Sequence, residues 1–373
     1  MTEKVVFNEA PTSRAGANSY FAGVLRMSGN IFFAMLSVVV SLVILSIVAA
    51  PFSLLGAEPD TSDQPTTVFG EEDARDTFLS IPITGVILGD GSGSAFDVFS
   101  ESASYGYQVK EQLRKASKNN SIQGVILEIS SPGGTIYGSQ AIADGVALYK
   151  ERTKKPVYAH ISGLAASGGY WAAIAADKVY ADYGSNIGSI GVISGPFTFY
   201  DQPVATDGGL LGGGIVTQKG IEETYITAGT SKDLGNPFRR LTQTEVGVLQ
   251  AGVNNEYTNF VAHVAKYRAI SEDDIRNKIG ALIYDNKQAE EFKLIDGTLS
   301  RDDTYKALAT AAKRDKSFRV VEEKSPEDGL LSELLGATTI AKQEAFSEKV
   351  AADSCTASRG ILVYFGEVAS LCR

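Results

Sequence analysis

Apolar and polar positions follow helical and strand periods along most of the chain, after one long apolar segment near its start. That segment, Ile31–Ala50, has twenty residues interrupted only by serines, and no charge occurs between Met27 and Ala57. A helix rises about 1.5 Å per residue, so this length matches the hydrocarbon core of a bilayer. The apolar length and the residues before it favour an uncleaved signal anchor over a cleaved signal peptide. We predict a transmembrane segment at 31–55.

The charges on either side of this segment predict its orientation. Acidic residues dominate from Glu58 to Asp76. The residues before the segment include three basic side chains, Lys4, Arg14 and Arg26. The positive-inside rule then gives a cytoplasmic tail at 1–30 and an extracytoplasmic location for everything after the span. That compartment permits disulfides, so Cys355 and Cys372 either form a pair or remain two unpaired thiols.

Beyond the anchor, the pattern predicts a linker and one large domain. Residues 56–75 are rich in Pro, Thr, Asp and Glu, which indicates an acidic, solvated linker. Strand and helix patterns then alternate, which is typical of an α/β fold with mostly parallel pairing, at 76–315. A C-terminal extension, 316–373, follows and ends with a strand-like run at Ile361–Phe365.

The individual elements are predicted from apolar periodicity and from helix-capping residues. Thr242 and Glu245 form a capping box that opens a long helix reaching about Arg268. The other predicted strands are at Thr77–Leu88, Gly124–Ser130, Pro156–His160 and Lys178–Asp182. Helices are predicted at Tyr105–Lys118, Ser139–Arg152, Asp285–Lys293 and Asp302–Ala312, and a turn that leads into a helix is predicted at Ala166–Lys178.

Composition excludes several classes of function. The 373-residue chain has a net charge of −10, which repels a phosphate backbone, so we expect no nucleic-acid partner. The two histidines, His160 and His263, are too separated for a zinc site, and we expect no metal or cofactor. The chain has no G-x-S-x-G, H-E-x-x-H or Walker motif. The glycine-rich run Asp207–Gly214 lacks the Lys-Ser/Thr ending of a phosphate loop and is interpreted as a surface loop.

Two segments of small residues could hold a reacting carbonyl. SSPGGT, Ser130–Thr135, comes directly after a strand, and its glycines leave backbone amides free to face a ligand. By itself it is more typical of a strand-ending turn. GLAASGGYW, Gly163–Trp171, places Ser167 at a strand-to-helix turn with small neighbours, where a serine is either a nucleophile or a helix N-cap.

A third segment, Ile226–Phe238, contains Lys232 in a loop that is flanked by Gly and Pro. A lysine acts as a general base only when its amine is uncharged, which requires burial or a positive neighbour. Most lysines are solvated surface groups, so this residue needs independent support. Neither histidine is placed to form a dyad with Ser167, which leaves lysine as the best available base.

Taken together, these segments resemble the SppA-type signal peptide peptidases, a branch of the ClpP/crotonase superfamily that uses a Ser/Lys dyad. The resemblance rests on four motifs in order: SSPGG, AASGGYW, GSIGV (Gly188–Val192) and AGTSKDLGNPFRRLT. It covers roughly 78–299 and implies a ClpP/crotonase-like core of repeated strand-strand-helix units. The stretch between GSIGV and SKD is longer than in short family members, and the cysteine-bearing tail is unfamiliar.

The resemblance implies roles for particular residues. Ser167 matches the nucleophile, Lys232 the general base and Ser189 the residue that orients the lysine amine. The backbone amides of Gly134 and Gly168 match the oxyanion hole. It also implies a ring-shaped homo-oligomer in which Ser and Lys meet across a protomer boundary, with membrane-derived peptides such as cleaved signal peptides as substrates.

Two other functions remain as alternatives. One is a catalytically silent ClpP-like scaffold that organises membrane proteins, which would have no need for Ser167, Lys232 and Ser189 together. The other is a crotonase-type acyl-CoA enzyme, which the predicted extracytoplasmic location and the Ser/Lys pairing disfavour.

Overall fold

The computed structural model describes residues 65–90, 103–201 and 224–323, and the backbone of 361–364. All of these lie in one compact unit, Gln64–Arg373. The predicted anchor at 31–55, the glycine-rich run and both cysteines lie outside the described residues. Within the part of the chain that is described, no helix combines the length and apolarity needed to cross a membrane.

A mixed sheet of twelve strands forms the centre of the described unit. Its central ladders, β2 with β4 and β4 with β5, are parallel, as are those of β11 with β2 and β5 with β6. Antiparallel pairs join β1 to β11, β7 to β9, and β12 to both β4 and β8. The strands are β1 Thr66–Gly70, β2 Asp76–Leu88, β3 Ala103–Tyr105, β4 Ile122–Thr135, β5 Val157–Ala166, β6 Lys178–Ala181, β7 Asn186–Gly188, β8 Ile193–Ser194, β9 Ile283–Tyr284, β10 Gly297–Thr298, β11 Phe318–Glu322 and β12 Ile361–Tyr364.

The central strands form because their apolar runs are covered on both faces. On one face, Ile81, Leu127 and Ile161 are at most 2 % exposed and belong to the main core, and on the other face the fully buried Phe78 and Ile126 belong to a second apolar cluster. Burial on both faces is typical of parallel strands, whose crossover helices cover the sheet. The predicted α/β class is therefore confirmed, although its sheet is mixed.

Helices cover both faces of the sheet and mostly follow the predicted positions. The helices are α1 Gly106–Ala116, α2 Ile136–Thr153, α3 Gly168–Ala173, α4 Gln243–Arg268, α5 Glu272–Asp274, α6 Asn286–Glu291 and α7 Arg301–Ala311, and a π-helical turn follows α5 at Ile275–Ile279. The predicted start of α2 at Ser139 is wrong, because the Thr135 side chain accepts a hydrogen bond from the Gly138 amide and starts the helix at Ile136. The Thr242–Glu245 capping box is present at the start of α4.

The sheet includes segments on both sides of 76–315. β1 lies within the predicted linker at 56–75, and β11 lies within the predicted extension at 316–373. β11 pairs in parallel with β2, from Phe318 opposite Asp76 to Glu322 opposite Ser80. Because β1 pairs with β11, both strands extend the sheet on the β2 side.

Candidate active site

Ser167 lies between β5 and α3 in a backbone conformation that is unusual for any residue except glycine. Its φ is 53° and its ψ is −116°. Strained backbone of this kind persists only where the surroundings fix it, and it is common at active sites. The Ser167 amide donates to the Gly188 carbonyl at 2.8 Å, and the Ser167 carbonyl accepts from the Trp171 amide at 2.9 Å. The residue is fully buried, so strand, helix and neighbouring loop together fix the position of its hydroxyl.

The GSIGV segment forms one side of the site. β7 pairs in parallel with the end of β5, which puts Gly188 opposite Ala166. Ser189 follows with φ 54° and is buried, and its amide donates to the Leu282 carbonyl at 2.7 Å. The Ser167 hydroxyl points to the same segment, with its Oγ 3.4 Å from the Gly191 carbonyl oxygen. This long hydrogen bond leaves the hydroxyl only weakly engaged.

Two features require a glycine at position 188, where the backbone passes close to Leu282. Its φ of 131° disfavours residues with a side chain. A Cβ added there would lie 2.4 Å from the Leu282 carbonyl oxygen. The close approach of the two backbones therefore fixes the position of the Ser189 segment beside Ser167.

The SSPGGT segment forms the other side of the site. It is part of β4, which continues to Thr135, so the predicted strand end at Ser130 is wrong. The register of β4 shifts near Pro132 against both β2 and β5, and a proline is tolerated at such a bulge. The Ser131 hydroxyl donates to the Gly85 carbonyl at 2.6 Å and accepts from the Gly133 amide at 3.1 Å. The segment is thus an extended, fixed strand.

The two candidate oxyanion residues lie on adjoining elements. Gly134 is in β4, opposite Ile87 of β2, and Gly168 is the first residue of α3 and is buried. Contact between these elements is close, because a Cβ added at Gly169 would lie 2.7 Å from the Ser131 carbonyl oxygen. The structure therefore brings together Ser167, Ser189, Gly134 and Gly168 on adjoining segments.

Lys232 is not joined to this cluster within one protomer. It lies in an exposed turn, where its amide donates to the Gly229 carbonyl at 3.3 Å. Among the described residues, its amine makes no hydrogen bond or ion pair, and the Ser167 hydroxyl bonds to Gly191 instead.

The turn that carries Lys232 is fixed by an ionic clamp that the sequence did not reveal. Arg239 donates to both carboxylate oxygens of Asp233, at 2.7 Å each, and to both oxygens of Glu245, at 2.7 Å and 2.9 Å. Glu245 also accepts from the Thr242 amide at 2.7 Å as part of the capping box. The clamp therefore attaches the residue after Lys232 to the first turn of α4.

The clamp also determines the charge state of its carboxyl groups. Hydrogen bonds from Arg239 hold the pKa of Asp233 and that of Glu245 below their usual range. Both groups stay ionised near neutral pH, which keeps the bidentate pairs intact. In the sequence, only the spacing of the capping box indicated part of this arrangement. The residues between Lys232 and the start of α4 form no motif that would show that Arg239 links the turn to the helix.

Both histidines have structural surroundings. His160 is fully buried in β5, and its Nδ1 lies 3.1 Å from Glu128 Oε2. His263 Nε2 lies 3.0 Å from the Trp171 carbonyl oxygen, so Nε2 carries the proton, and the ring stacks on Trp171 with centroids 4.4 Å apart. Burial lowers the pKa of His263 to about 4. Neither imidazole bonds to Ser167.

Two models of known peptidase families match parts of the chain. The model of the Clp protease family matches residues 100–183, and that of Peptidase family S49 matches residues 149–315. A putative signal peptide peptidase SppA of Enterococcus faecium is 30% identical over 259 residues, which cover 69% of this chain and 70% of that protein. A putative protease of Methanocaldococcus jannaschii is 34% identical over 200 residues, 54% of this chain and 60% of its own. Protease 4 of Haemophilus influenzae is 30% identical over 186 residues, 49% of this chain and 28% of that protein.

The fold and the relatives together define a serine peptidase with a ClpP-like α/β fold. The chain belongs to peptidase family S49, the family of the SppA and protease 4 peptidases.

Proposed function

We propose that this serine peptidase is a membrane-anchored endopeptidase that uses Ser167 as nucleophile and Lys232 as general base. The observation that supports it best is the buried, strained Ser167, whose amide is held by Gly188 and whose hydroxyl is only weakly engaged. A hydroxyl that is fixed in position but weakly bonded is suited to attack on a carbonyl. Its proposed substrates are hydrophobic membrane-associated peptides, including the remnants of cleaved signal peptides.

The proposed reaction is acyl transfer in two halves. The uncharged amine of Lys232 accepts the proton of the Ser167 hydroxyl as Oγ bonds to the peptide carbonyl carbon. The amides of Gly134 and Gly168 stabilise the oxyanion that develops. The lysine ammonium then protonates the leaving amine, the C–N bond breaks, and an acyl-enzyme remains. Water, deprotonated by the same amine, then attacks the ester carbonyl. The ammonium returns that proton to Ser167 Oγ as the ester C–O bond breaks, which releases the acid and restores the hydroxyl and the uncharged amine.

Lys232 is proposed to reach the nucleophile from a neighbouring protomer of a ring-shaped homo-oligomer. The exposed amine and the clamped turn support this, because a stiff surface loop is suited to insertion into a second copy. Packing against that copy would exclude water from the amine, as a lysine base requires. Ser189 is proposed to orient the amine there, from its position beside Ser167.

The membrane anchor and the location are proposed from the sequence. Residues 31–55 are proposed to span the bilayer, with 1–30 in the cytoplasm and the peptidase domain outside it. An anchored domain would be held close to peptides that leave the bilayer.

The test is hydrolysis of hydrophobic fluorogenic peptides by the full chain in detergent. Ser167→Ala and Lys232→Ala should each abolish hydrolysis, whereas Lys118→Ala, which changes a lysine that is likewise exposed in a turn, directly after α1, should not. Activity that survives either of the first two changes contradicts the dyad. Absence of hydrolysis in the unaltered chain would favour the scaffold alternative.

Mixing the two inactive variants tests the shared site. If Ser167 and Lys232 come from different protomers, mixed oligomers contain some sites with both residues, and activity should return. If both residues come from one protomer, the mixture stays inactive. A rate that rises only near about pH 10, where a hydrated lysine loses its proton, would also contradict the mechanism.

A further inference from the structure

Three crossover helices end at the same edge of the sheet, and each end is rich in basic residues. The helices α1, α2 and α7 lead into β4, β5 and β11, which all run parallel to β2. A helix that connects parallel strands runs back along the sheet, so it ends near the start of the next strand. The side chains that form this basic surface are Arg114 and Lys115 in α1, Lys150 and Arg152 in α2, Lys154 and Lys155 directly after α2, and Lys313, Arg314 and Lys316 after α7.

Contacts join these helix ends into one surface. The Lys155 amine donates to the Asn120 carbonyl at 3.1 Å and also to the Ile122 carbonyl, at the start of β4. Arg314 Nε lies 3.7 Å from Asp76 Oδ1, at the start of β2. Burial lowers the pKa of Lys155, and the positive charge of Arg314 lowers it further. The ends of α2 and α7, which cover opposite faces of the sheet, therefore lie close enough for their charges to repel each other.

The helix ends themselves explain only part of this charge. Basic side chains stabilise the partial negative charge at the end of a helix, but this effect falls off within the last turn. Lys154 and Lys313 lie after the last turns of α2 and α7. Their φ values are 57° and 58°, a left-handed conformation that favours glycine at the end of a helix. Neither the local backbone nor the helix dipole therefore accounts for a lysine at these two positions.

Acidic neighbours neutralise only some of these cations. The ion pairs of the surface are Arg114 with Glu111, Lys150 with Asp177 and Arg314 with Asp76, and the acidic segment Glu71–Asp76 borders it. Lys154, Lys313 and Lys316 are exposed and make no ion pair within the described part of the chain. Because the whole chain has a net charge of −10, this local excess of positive charge indicates an anionic partner.

We propose that the basic surface binds the anionic headgroups of a lipid bilayer. Long basic side chains are attracted to anionic lipids and reach the headgroups without a shaped pocket. A protein partner fits less well, because the centre of a protein interface is built from apolar side chains. Among the described residues, none of the exposed large apolar side chains lies in 114–116, 150–155 or 313–316. The inference goes beyond the proposed peptidase activity and uses only the proposed membrane anchor.

The proposed anchor would make even a weak contact of this kind effective. It ends at residue 55 and β1 begins at Thr66, so a short linker would keep the domain at the bilayer and give the contact a high effective concentration. The candidate active site lies at the opposite edge of the sheet, where Ser167 follows the end of β5. Binding through the basic surface would therefore leave the site open to peptides from the aqueous side.

Lysine acetylation of the full chain in lipid nanodiscs tests the proposal. The nanodiscs contain either phosphatidylcholine alone or a mixture with phosphatidylglycerol, and mass spectrometry gives the acetylation rate of each lysine. We expect Lys154, Lys313 and Lys316 to react about fivefold more slowly in the anionic nanodiscs, and we expect high salt to remove this protection. Lys287 and Lys306, which are exposed elsewhere, should react equally in both. Equal rates for the three surface lysines in both lipids would overturn the inference.

Two further arms identify the ligand and the residues. Inorganic phosphate added to phosphatidylcholine nanodiscs should not protect the lysines; protection by phosphate alone would refute binding to a lipid surface. The combined change Arg152→Gln, Lys154→Gln, Lys313→Gln and Lys316→Gln should remove most of the protection of Lys115 in anionic nanodiscs. The matched change Lys278→Gln, Lys287→Gln and Lys306→Gln, at exposed lysines elsewhere, should leave it intact. A Lys115 that is equally protected in both variants would contradict the assignment.

Elution of the chain with nanodiscs separates the basic surface from the anchor. A chain that stays with both kinds of nanodisc at high salt is anchored, and the inference is wrong if its surface lysines are unprotected at low salt. A chain that stays only with anionic nanodiscs, and only at low salt, has no anchor but supports the basic surface. Neither result depends on whether Ser167 and Lys232 form a dyad.

Discussion

Replacing Gly134 with alanine tests how closely β2 and β4 approach at the candidate oxyanion hole. A Cβ at this position would lie 2.0 Å from the carbonyl oxygen of Ile87 and 2.7 Å from its amide nitrogen. These are backbone atoms of a central strand, so no side chain can rotate to make room. The two strands would have to separate locally by roughly 1.5 Å to reach an ordinary contact distance.

The expected cost follows from that separation. The ladder at Val86 opposite Gly133 and Ile87 opposite Gly134 would be weakened. Each lost backbone hydrogen bond costs about 1 kcal/mol net, and overpacking of a tight site costs about 1–3 kcal/mol. We expect Gly134→Ala to lower the free energy of unfolding by about 3–4 kcal/mol, a large part of the stability of a typical domain.

Urea unfolding of the full chain in detergent measures this change. The single tryptophan, Trp171, is 3% exposed and adjoins the candidate site, so its fluorescence reports unfolding there. Gly247→Ala is the matched control: it lies in α4 with no atom within 4 Å of the added Cβ and should stabilise the chain by about 0.5–1 kcal/mol. If Gly134→Ala unfolds within about 1 kcal/mol of the unaltered chain, the inferred approach of β2 and β4 is wrong.

Three further predictions concern residues around the site. Arg239→Leu should release the turn that carries Lys232 and lower kcat for peptide hydrolysis about tenfold or more, with less effect on KM; an unchanged kcat would show that the turn needs no clamp. His263 has a pKa lowered from 6.5 to about 4, so below about pH 6.5 the unfolded chain binds a proton that the folded chain does not, and stability should fall by up to about 3 kcal/mol as the pH falls to about 4. Urea unfolding of His263→Phe should lose most of this dependence, and a slope equal to that of the unaltered chain would refute the assignment. Thr242→Ala should lower the free energy of unfolding by about 1 kcal/mol through loss of the helix cap, whereas Thr242→Ser should keep the cap and most of the stability.

Short stretches of sequence were sufficient to predict the features that depend on residues close together in the chain. The α4 helix was predicted from its first turn, because the Thr242 and Glu245 groups that satisfy its free amides lie three residues apart. Ser167 was identified as a candidate because it lies among small residues at a strand-to-helix turn, where a serine is either a nucleophile or a helix N-cap. In both cases the residues that gave the signal lie within a few positions of one another in sequence.

The features that escaped prediction depend on contacts distant in sequence. β4 was expected to end before SSPGGT, because Pro132 and two glycines are typical of a turn, but contact with Gly85 keeps the segment extended. β11 has only five residues, too few for a periodic signal, and it is specified by pairing with β2, more than 230 residues earlier. The clamp of Arg239 depends on how its loop folds, which no motif encodes.

The candidate nucleophile and the candidate base are held in position by different kinds of contact. Ser167 is fixed by β5, α3 and the Gly188 carbonyl, so its position is set once the sheet has formed. Lys232 is held on a stiff but exposed turn, where water surrounds its amine. If the proposed dyad is correct, folding alone therefore cannot complete the site, and a second surface must cover the turn. Activity should then follow the concentration of assembled protein, and dilution that dissociates the oligomer should abolish hydrolysis without unfolding the chain. If the rate of hydrolysis per protomer stays constant while the oligomer dissociates, the base must come from the same chain as Ser167.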